Sequence, residues 1–98
     1  MAQQAREPHH GAELIHVGFG NYIALNRVVA IVTPGSAPIQ RVVRDGKKRG
    51  TIIDITSGRR TKAAVFTDIG NIVLVAITPE AVAGRVAAAR AGKGQAQD

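Results

Sequence analysis

Two adjacent arginines, Arg59 and Arg60, are the residues of this 98-residue chain whose type and spacing best suit a chemical task. They lie in a polar, glycine-containing segment between two short apolar runs, Ile52–Ile55 and Ala63–Phe66. The arginine guanidinium is a planar fork of donors that matches phosphate groups and guanine edges. With Lys62 close behind, the pair predicts recognition of a polyanion, although charged turn residues are also common as plain solvated surface.

The flanking runs predict how the two arginines are presented. Two strand-like runs joined by a short link that contains glycine are typical of a β-hairpin. With strands at Thr51–Thr56 and Lys62–Thr67, the hairpin would carry Arg59 and Arg60 at an exposed tip on a rigid stem.

The charge of the whole chain supports this interpretation. Its net charge is +6, and arginine outnumbers lysine nine to four. Between Arg41 and Lys62, eight basic residues are opposed only by Asp45 and Asp54, so this window alone carries +6. Such a concentration predicts a nucleic-acid partner. The chain has only two Phe, one Tyr and no Trp, which disfavours modules that stack single-stranded bases and favours double-stranded DNA.

Periodicity and capping residues predict an α+β domain in the order β-β-α-β-β-β-α, a small, mostly antiparallel sheet of about four to five strands with two helices. The predicted elements are Glu13–Val17, Arg27–Val32, a helix from Ser36 to Arg49 that stops at Gly50, Thr51–Thr56, Lys62–Thr67, Asn71–Ile77 and a helix that begins at Thr78. The continuous apolar content of Asn71–Ile77 predicts burial on both faces, one against a helix and the other against a second subunit.

The first helix adds a secondary basic surface. Helical spacing places Arg41, Arg44 and Lys48 on the face opposite its apolar residues. This face is either a further DNA contact or a solvated surface. On the next strand, Asp54 is expected to be half-buried and paired with a nearby arginine.

Signals for catalysis, metal binding or cofactors are weak. The chain has no cysteine, and its three histidines show no ligand spacing. No nucleophile–base pair is visible. The Gly18-Phe19-Gly20 turn lacks the third glycine of a dinucleotide loop, since position 23 is Ile23. The sequence therefore predicts no enzyme, no metal, no cofactor and no small-molecule substrate.

Composition also predicts the domain boundaries and the compartment. Residues 1–12 and 87–98 are polar or of low complexity, which predicts flexible tails around a domain at 13–86. The longest apolar run is Ile72–Ile77, far shorter than a membrane span, and the N-terminal residues lack the pattern of a signal peptide. We therefore expect a cytoplasmic, nucleoid-associated chain with no membrane partner.

An ordered set of short motifs resembles the RemA family, bacterial regulators named after extracellular matrix regulatory protein A. The motifs are Gly18-Phe19-Gly20-Asn21, Asn26-Arg27, Ser36-Ala37-Pro38-Ile39, Ile53-Asp54, Thr56-Ser57-Gly58-Arg59-Arg60-Thr61 and Pro79-Glu80. Their order and spacing match over roughly residues 13 to 86, most of the predicted domain.

The resemblance implies a DNA-binding transcriptional regulator of matrix and biofilm genes that assembles into closed homo-oligomeric rings. The family's functional arginines match Arg27, Arg59 and Arg60, and Lys62 stands where an arginine is commoner. The chain departs from the family in a longer N-terminal tail and in a more basic helix end at Gly46–Arg49.

Two other functions remain open at this stage. A basic protein bound to structured RNA or the ribosome would share the charge. A purely structural oligomeric scaffold would use the charge only for solubility. A ring favours the DNA interpretation, because repeated weak phosphate contacts add by avidity along one duplex.

Overall fold

The structure is a computed structural model that describes residues 13–95. Its described part contains six strands and two helices, in an α+β arrangement that confirms the predicted class. The strands are β1 (Leu14–His16), β2 (Tyr22–Ala24), β3 (Val28–Val32), β4 (Ile52–Asp54), β5 (Ala63–Thr67) and β6 (Ile72–Val75). The helices are α1 (Ala37–Arg49) and α2 (Pro79–Gln95), and a 3-10 turn lies at Leu25–Arg27.

The strands form two sheets. Strands β1 and β2 pair as an antiparallel hairpin, with Ile15 opposite Ile23. The other four form a sheet in the order β3-β5-β6-β4, in which β4 and β6 run parallel and the remaining pairs are antiparallel. The edges of this sheet are therefore β3 and β4, and its centre is the β5–β6 pair.

The predicted hairpin around Arg59 and Arg60 is wrong. Strands β4 and β5 are not neighbours, because β6 lies between them. The connection at residues 55–62, which we call the arginine loop, instead crosses the carboxyl end of β6. A short glycine-containing link is typical of a hairpin, but here Ile52 pairs with Ile72 across 20 residues. That pairing sets the topology.

Helix α1 begins and ends where its capping residues predict. The Ser36 hydroxyl oxygen accepts a hydrogen bond from the Ile39 N–H at 3.4 Å. Gly50 ends the helix in the left-handed conformation, at φ 76°. Within the helix, Gly46 is buried, and a Cβ placed there would lie 2.8 Å from Ile52 Cδ1. Close packing against β4 therefore explains a glycine inside the helix.

The hydrophobic core lies on both faces of β5 and β6. On one face, Val73 and Val75 pack with Ile15 and Val17 of the hairpin and with Val82 of α2. On the other face a second cluster is centred on three buried residues of these strands, and it packs against side chains of α1 and β4. Its buried members are Ala64, Ile72 and Leu74, and the residues against it include Val43 and Ile52.

This arrangement corrects the expectation for the last strand. All four residues of β6 are buried, as its apolar content predicts. However, the face that we assigned to a second subunit is covered by the hairpin and α2 of the same chain.

Three further differences concern element bounds. Strand β2 was not predicted, and Arg27 closes the 3-10 turn rather than starting a strand. Helix α2 begins as predicted, with the Thr78 hydroxyl accepting from the Ala81 N–H at 3.1 Å. It continues to Gln95 and so enters the segment 87–98, which was predicted to be a flexible tail. The flexibility of that segment stays a prediction. Residues 1–12, the other predicted tail, lie outside the described chain.

Neither described helix combines the length and apolar character needed to cross a membrane.

Candidate nucleic-acid interface

The arginine loop is fixed at both ends to the central strand β6. The Ile55 N–H donates to the Leu74 carbonyl oxygen at 3.1 Å, and the Lys62 N–H donates to the Val75 carbonyl oxygen at 2.9 Å. The two arginines between these anchors are exposed. The loop therefore keeps the rigid support that the hairpin prediction required, although a different topology supplies it.

Local hydrogen bonds shape the first half of the loop. One carboxylate oxygen of Asp54 accepts from the N–H of Thr56 at 2.9 Å and from its hydroxyl at 2.7 Å. The Thr56 carbonyl then accepts from the Arg59 N–H at 3.1 Å. This turn needs left-handed backbone at Ser57 (φ 56°) and Gly58 (φ 79°).

These bonds also define the state of Asp54. The two hydrogen bonds from Thr56, backbone first, lower the pKa of the Asp54 carboxyl, and the nearby Lys47 ammonium lowers it further. The side chain is exposed. The expectation of a half-buried Asp54 paired with an arginine is wrong, since its hydrogen-bond partner is Thr56.

A second turn, at residues 18–21 between β1 and β2, lies beside the arginine loop. Gly18, Phe19 and Gly20 all have positive φ, at 102°, 57° and 80°. The turn is closed by the Val17 N–H, which donates to the Asn21 carbonyl at 2.8 Å. A Cβ at position 18 would come within 3.0 Å of a methyl group of Ile77, so a glycine is also favoured there for space.

The two turns are joined by two side chains. The Asn21 side-chain amide donates to the Ile55 carbonyl oxygen at 3.0 Å. The Arg59 guanidinium lies over the ring of Phe19, 3.7 Å from its centroid. Sequence reasoning missed this contact, because it considered only the small number of aromatic residues in the chain. One sign in the sequence indicated that the two segments lie together, since both are among the motifs that resemble the RemA family.

Arg60 and Lys62 face a cleft of about 630 Å³ at one end of the sheet. Its walls include the segment Thr33–Gly35 before α1 and the segment Thr78–Glu80 at the start of α2. The positive ends of both helix dipoles point towards this end of the sheet. The cleft therefore combines two cationic side chains with helix dipoles that favour an anion. The carboxylate of Glu80 is the one negatively charged group among its described lining residues.

A neighbouring groove of about 370 Å³ extends the basic surface onto α1. It is lined by Arg44 and Lys47 of the helix and by Thr61 of the arginine loop. The structure thus brings Arg44 beside the loop and adds Lys47, which the sequence interpretation had not assigned. Arg41 and Lys48 are exposed on α1 and line neither the cleft nor this groove.

Arg27 lies at the other end of the sheet. Its backbone carbonyl accepts from the Asp68 N–H at 3.0 Å, and its guanidinium forms a 3.3 Å ion pair with the Asp68 carboxylate. Lys62 and Asp68 bracket β5, and their six-residue separation along an extended strand is about 20 Å. One subunit therefore does not bring Arg27 together with Arg59 and Arg60.

The sequence matches one family model over residues 14–86, from β1 into α2. That model describes RemA-like proteins, that is, extracellular matrix regulatory protein A-like proteins. The chain belongs to the RemA-like family. The match covers the arginine loop, the turn at 18–21, Arg27 and the whole four-stranded sheet.

Curated relatives of this RemA-like chain come from diverse bacteria. It is 52% identical over 80 residues to a protein of Dehalococcoides mccartyi, covering 82% of this chain and 83% of the relative. It is 54% identical over 79 residues to one of Synechococcus, covering 81% and 89%. It is 49% identical over 85 residues to one of Symbiobacterium thermophilum, covering 87% and 90%.

All three relatives are provisionally named regulatory proteins. Together with the family, these names indicate a regulatory protein rather than an enzyme. Within the described residues, no group of three or more His, Cys, Asp or Glu side chains is placed to hold a metal ion.

Proposed function

We propose that this RemA-like protein is a transcriptional regulator that binds double-stranded DNA, with Arg59 and Arg60 as its main contacts. The observation that carries the proposal is the arginine loop itself. It exposes two guanidiniums on a backbone anchored at both ends to β6. Within the described chain, neither guanidinium forms an ion pair, so their charge is available to phosphates.

The surroundings of the loop favour a duplex partner. Arg60 and Lys62 in the cleft, with Arg44 and Lys47 in the adjoining groove, extend the positive charge around the loop. Contacts of this kind read the phosphate backbone. The aromatic ring at the site lies beneath Arg59 and so has one face occupied, which disfavours base stacking as the main binding mode.

The proposal includes assembly into a closed homo-oligomeric ring. Both edges of the four-stranded sheet expose apolar side chains, Val29 on β3 with 67% of its surface accessible and Ile53 on β4 with 45%. These are two different surfaces, and a contact between different surfaces closes into a ring when the rotation permits. In such a ring, Arg27 of each subunit would add contacts distant from that subunit's own arginine loop.

Control of matrix or biofilm genes from the nucleoid is the biological role proposed here, on the basis of the family alone.

The test of the molecular function is fluorescence anisotropy with three labelled probes. These are a duplex from upstream of the protein's own gene, a scrambled duplex and a folded RNA. We expect the duplexes to bind more tightly than the RNA, with an affinity that falls steeply with salt because each neutralised phosphate adds about −0.9 to the log–log slope.

Each result has a defined meaning. A tighter complex with the upstream duplex than with the scrambled one would establish sequence preference. Tighter binding of the folded RNA than of either duplex would indicate that the basic surface binds RNA. Absence of binding to all three probes at low salt would leave a scaffold role. Light scattering at micromolar concentration tests assembly, and a monomer there would contradict the ring.

A further inference from the structure

We propose that Phe19 is a positioning residue for Arg59, and that it holds the guanidinium in the orientation that binds DNA. This inference rests on the proposed function, because it concerns how the DNA-contacting arginine is oriented. Phe19 lies 40 positions before Arg59 in the sequence and belongs to a different supersecondary unit, the β1–β2 hairpin.

The geometry is that of a cation–π pair. The guanidinium carbon lies 3.7 Å from the ring centroid, well inside the range of roughly 6 Å over which such pairs attract. The guanidinium itself makes no hydrogen bond or ion pair within the described residues. A stacked arginine keeps its in-plane N–H donors free. The ring therefore holds the group without occupying the donors that would bind phosphate.

The backbone conformation at Phe19 indicates that the side chain has a role other than core packing. Phe19 and Ser57 are the two non-glycine residues with positive φ among residues 13–95, at 57° and 56°. One lies in each of the two turns that meet at Arg59. This conformation is unfavourable for a bulky side chain, and such outliers gather at functional sites. Phe19 is also 49% exposed, so core packing does not account for it.

A hydrogen-bonded framework fixes the ring beneath the arginine. The Asn21 amide lies within hydrogen-bond distance of the carbonyls of Gly18, at 3.1 Å, and Phe19, at 3.4 Å, as well as that of Ile55. One side chain thus ties the turn that carries the ring to the loop that carries Arg59. Pre-ordering a long, flexible side chain reduces the entropy lost when it binds its partner.

The test compares substitutions at position 19 in duplex-binding titrations. Phe19→Leu removes the aromatic face but keeps an apolar side chain, whereas Phe19→Tyr keeps the face. Tyr22→Leu is the matched control, since it removes an exposed aromatic from the same hairpin that does not contact Arg59. We expect Phe19→Leu to weaken binding about two- to fivefold for each contacting subunit, and the other two variants to bind like the parent.

Two further variants separate positioning from a general structural effect. Phe19→Gly relieves the backbone strain, so it should unfold at a temperature no lower than Phe19→Leu while binding DNA equally weakly. Adding Phe19→Leu to Arg59→Ala should cause no further loss. In the free protein, the NMR resonances of the Arg59 Nε–H and δ-methylene should lose their ring-current shift in Phe19→Leu and keep it in Phe19→Tyr.

The failures are distinguishable. If Arg59→Ala weakens binding but Phe19→Leu does not, the positioning role is overturned while the DNA interface stands. If Phe19→Leu weakens binding by the same factor in the parent and in the Arg59→Ala variant, its effect is structural and the inference is wrong. If Arg59→Ala itself leaves affinity unchanged, the proposed interface fails, and the role of Phe19 with it.

Discussion

The side-chain amide of Asn21 and the backbone carbonyl of Ile55 form a 3.0 Å hydrogen bond that joins the β1–β2 turn to the arginine loop. The bond spans 34 residues of sequence and is partly buried. It connects the separate two-stranded hairpin to the edge of the four-stranded sheet. The amide therefore helps to fix the relative position of the two turns at the candidate site, together with the contact between Arg59 and Phe19 and the packing of the hairpin on β6.

Asn21→Ala should lower both stability and DNA affinity. The substitution removes the amide donor and leaves the partly buried Ile55 carbonyl without this partner, which costs about 1–3 kcal/mol. Chemical denaturation measures the change. Asn26→Ala is the control, because Asn26 is exposed and its side chain makes no hydrogen bond within the described chain. Equal stability of the two variants would show that the amide does not join the turns.

Gly46→Ala and Gly84→Ala should change stability in opposite directions. Both glycines lie inside helices, where alanine is intrinsically favoured by about 1 kcal/mol. At Gly46 the new Cβ would meet Ile52 Cδ1 at 2.8 Å and Thr51 Oγ1 at 3.1 Å, whereas at Gly84 nothing lies within 4 Å. We expect a loss of about 1–2 kcal/mol at position 46 and a gain at position 84. Stabilisation by both substitutions in thermal unfolding would contradict the close contact between α1 and β4.

Asp54 should make stability depend on pH in the acid range. Its pKa is lowered in the folded state by the hydrogen bonds from Thr56. The corresponding stabilisation is therefore fully present above the usual pKa of aspartate, about 4, and is lost as the pH falls through the lower, folded value. Denaturation of the parent and Asp54→Asn from pH 6 to pH 2.5 should show a difference that shrinks below about pH 4. A difference that stays constant over this range would be inconsistent with the lowered pKa.

Arg27→Ala should test whether the far end of the sheet contacts DNA. Its ion pair with Asp68 is exposed, so losing it should change stability by less than about 1 kcal/mol. If Arg27 contacts a phosphate, the slope of log affinity against log salt should become shallower by about 0.9 for each contacting subunit. Asp68→Asn removes the competing charge and should strengthen binding. If the slope of log affinity against log salt is the same in Arg27→Ala as in the parent, Arg27 does not contact DNA phosphates.

Local signals in the sequence predicted the helices well. Helix α1 begins after Ser36 and ends at Gly50, as predicted, because the capping interactions of these two residues involve their neighbours in sequence. Strand pairing was harder to predict. The short link between β4 and β5 matches a hairpin, yet the parallel pairing of β4 with β6 overrides it. Strand β2 has only three residues, too few for a periodicity to be visible.

The candidate site was predictable in its residues but not in its geometry. The concentration of charge and the motif at Arg59 and Arg60 identified the loop. Contacts between segments far apart in sequence, such as Phe19 beneath Arg59 and Asn21 bonded to Ile55, leave no local pattern. The separation of Arg27 from the loop also follows from its pairing with Asp68 at the far end of β5.

The central claim is that Arg59 and Arg60 bind double-stranded DNA. Anisotropy titration of a labelled duplex should be made with the parent, with Arg59→Ala combined with Arg60→Ala, and with Arg49→Ala combined with Arg90→Ala. The last pair removes the same charge from exposed positions outside the loop. We predict that the loop variant loses affinity by about a hundredfold or more, with an oligomer size equal to that of the parent, while the control changes little. Equal affinity of the parent and the loop variant would contradict the account.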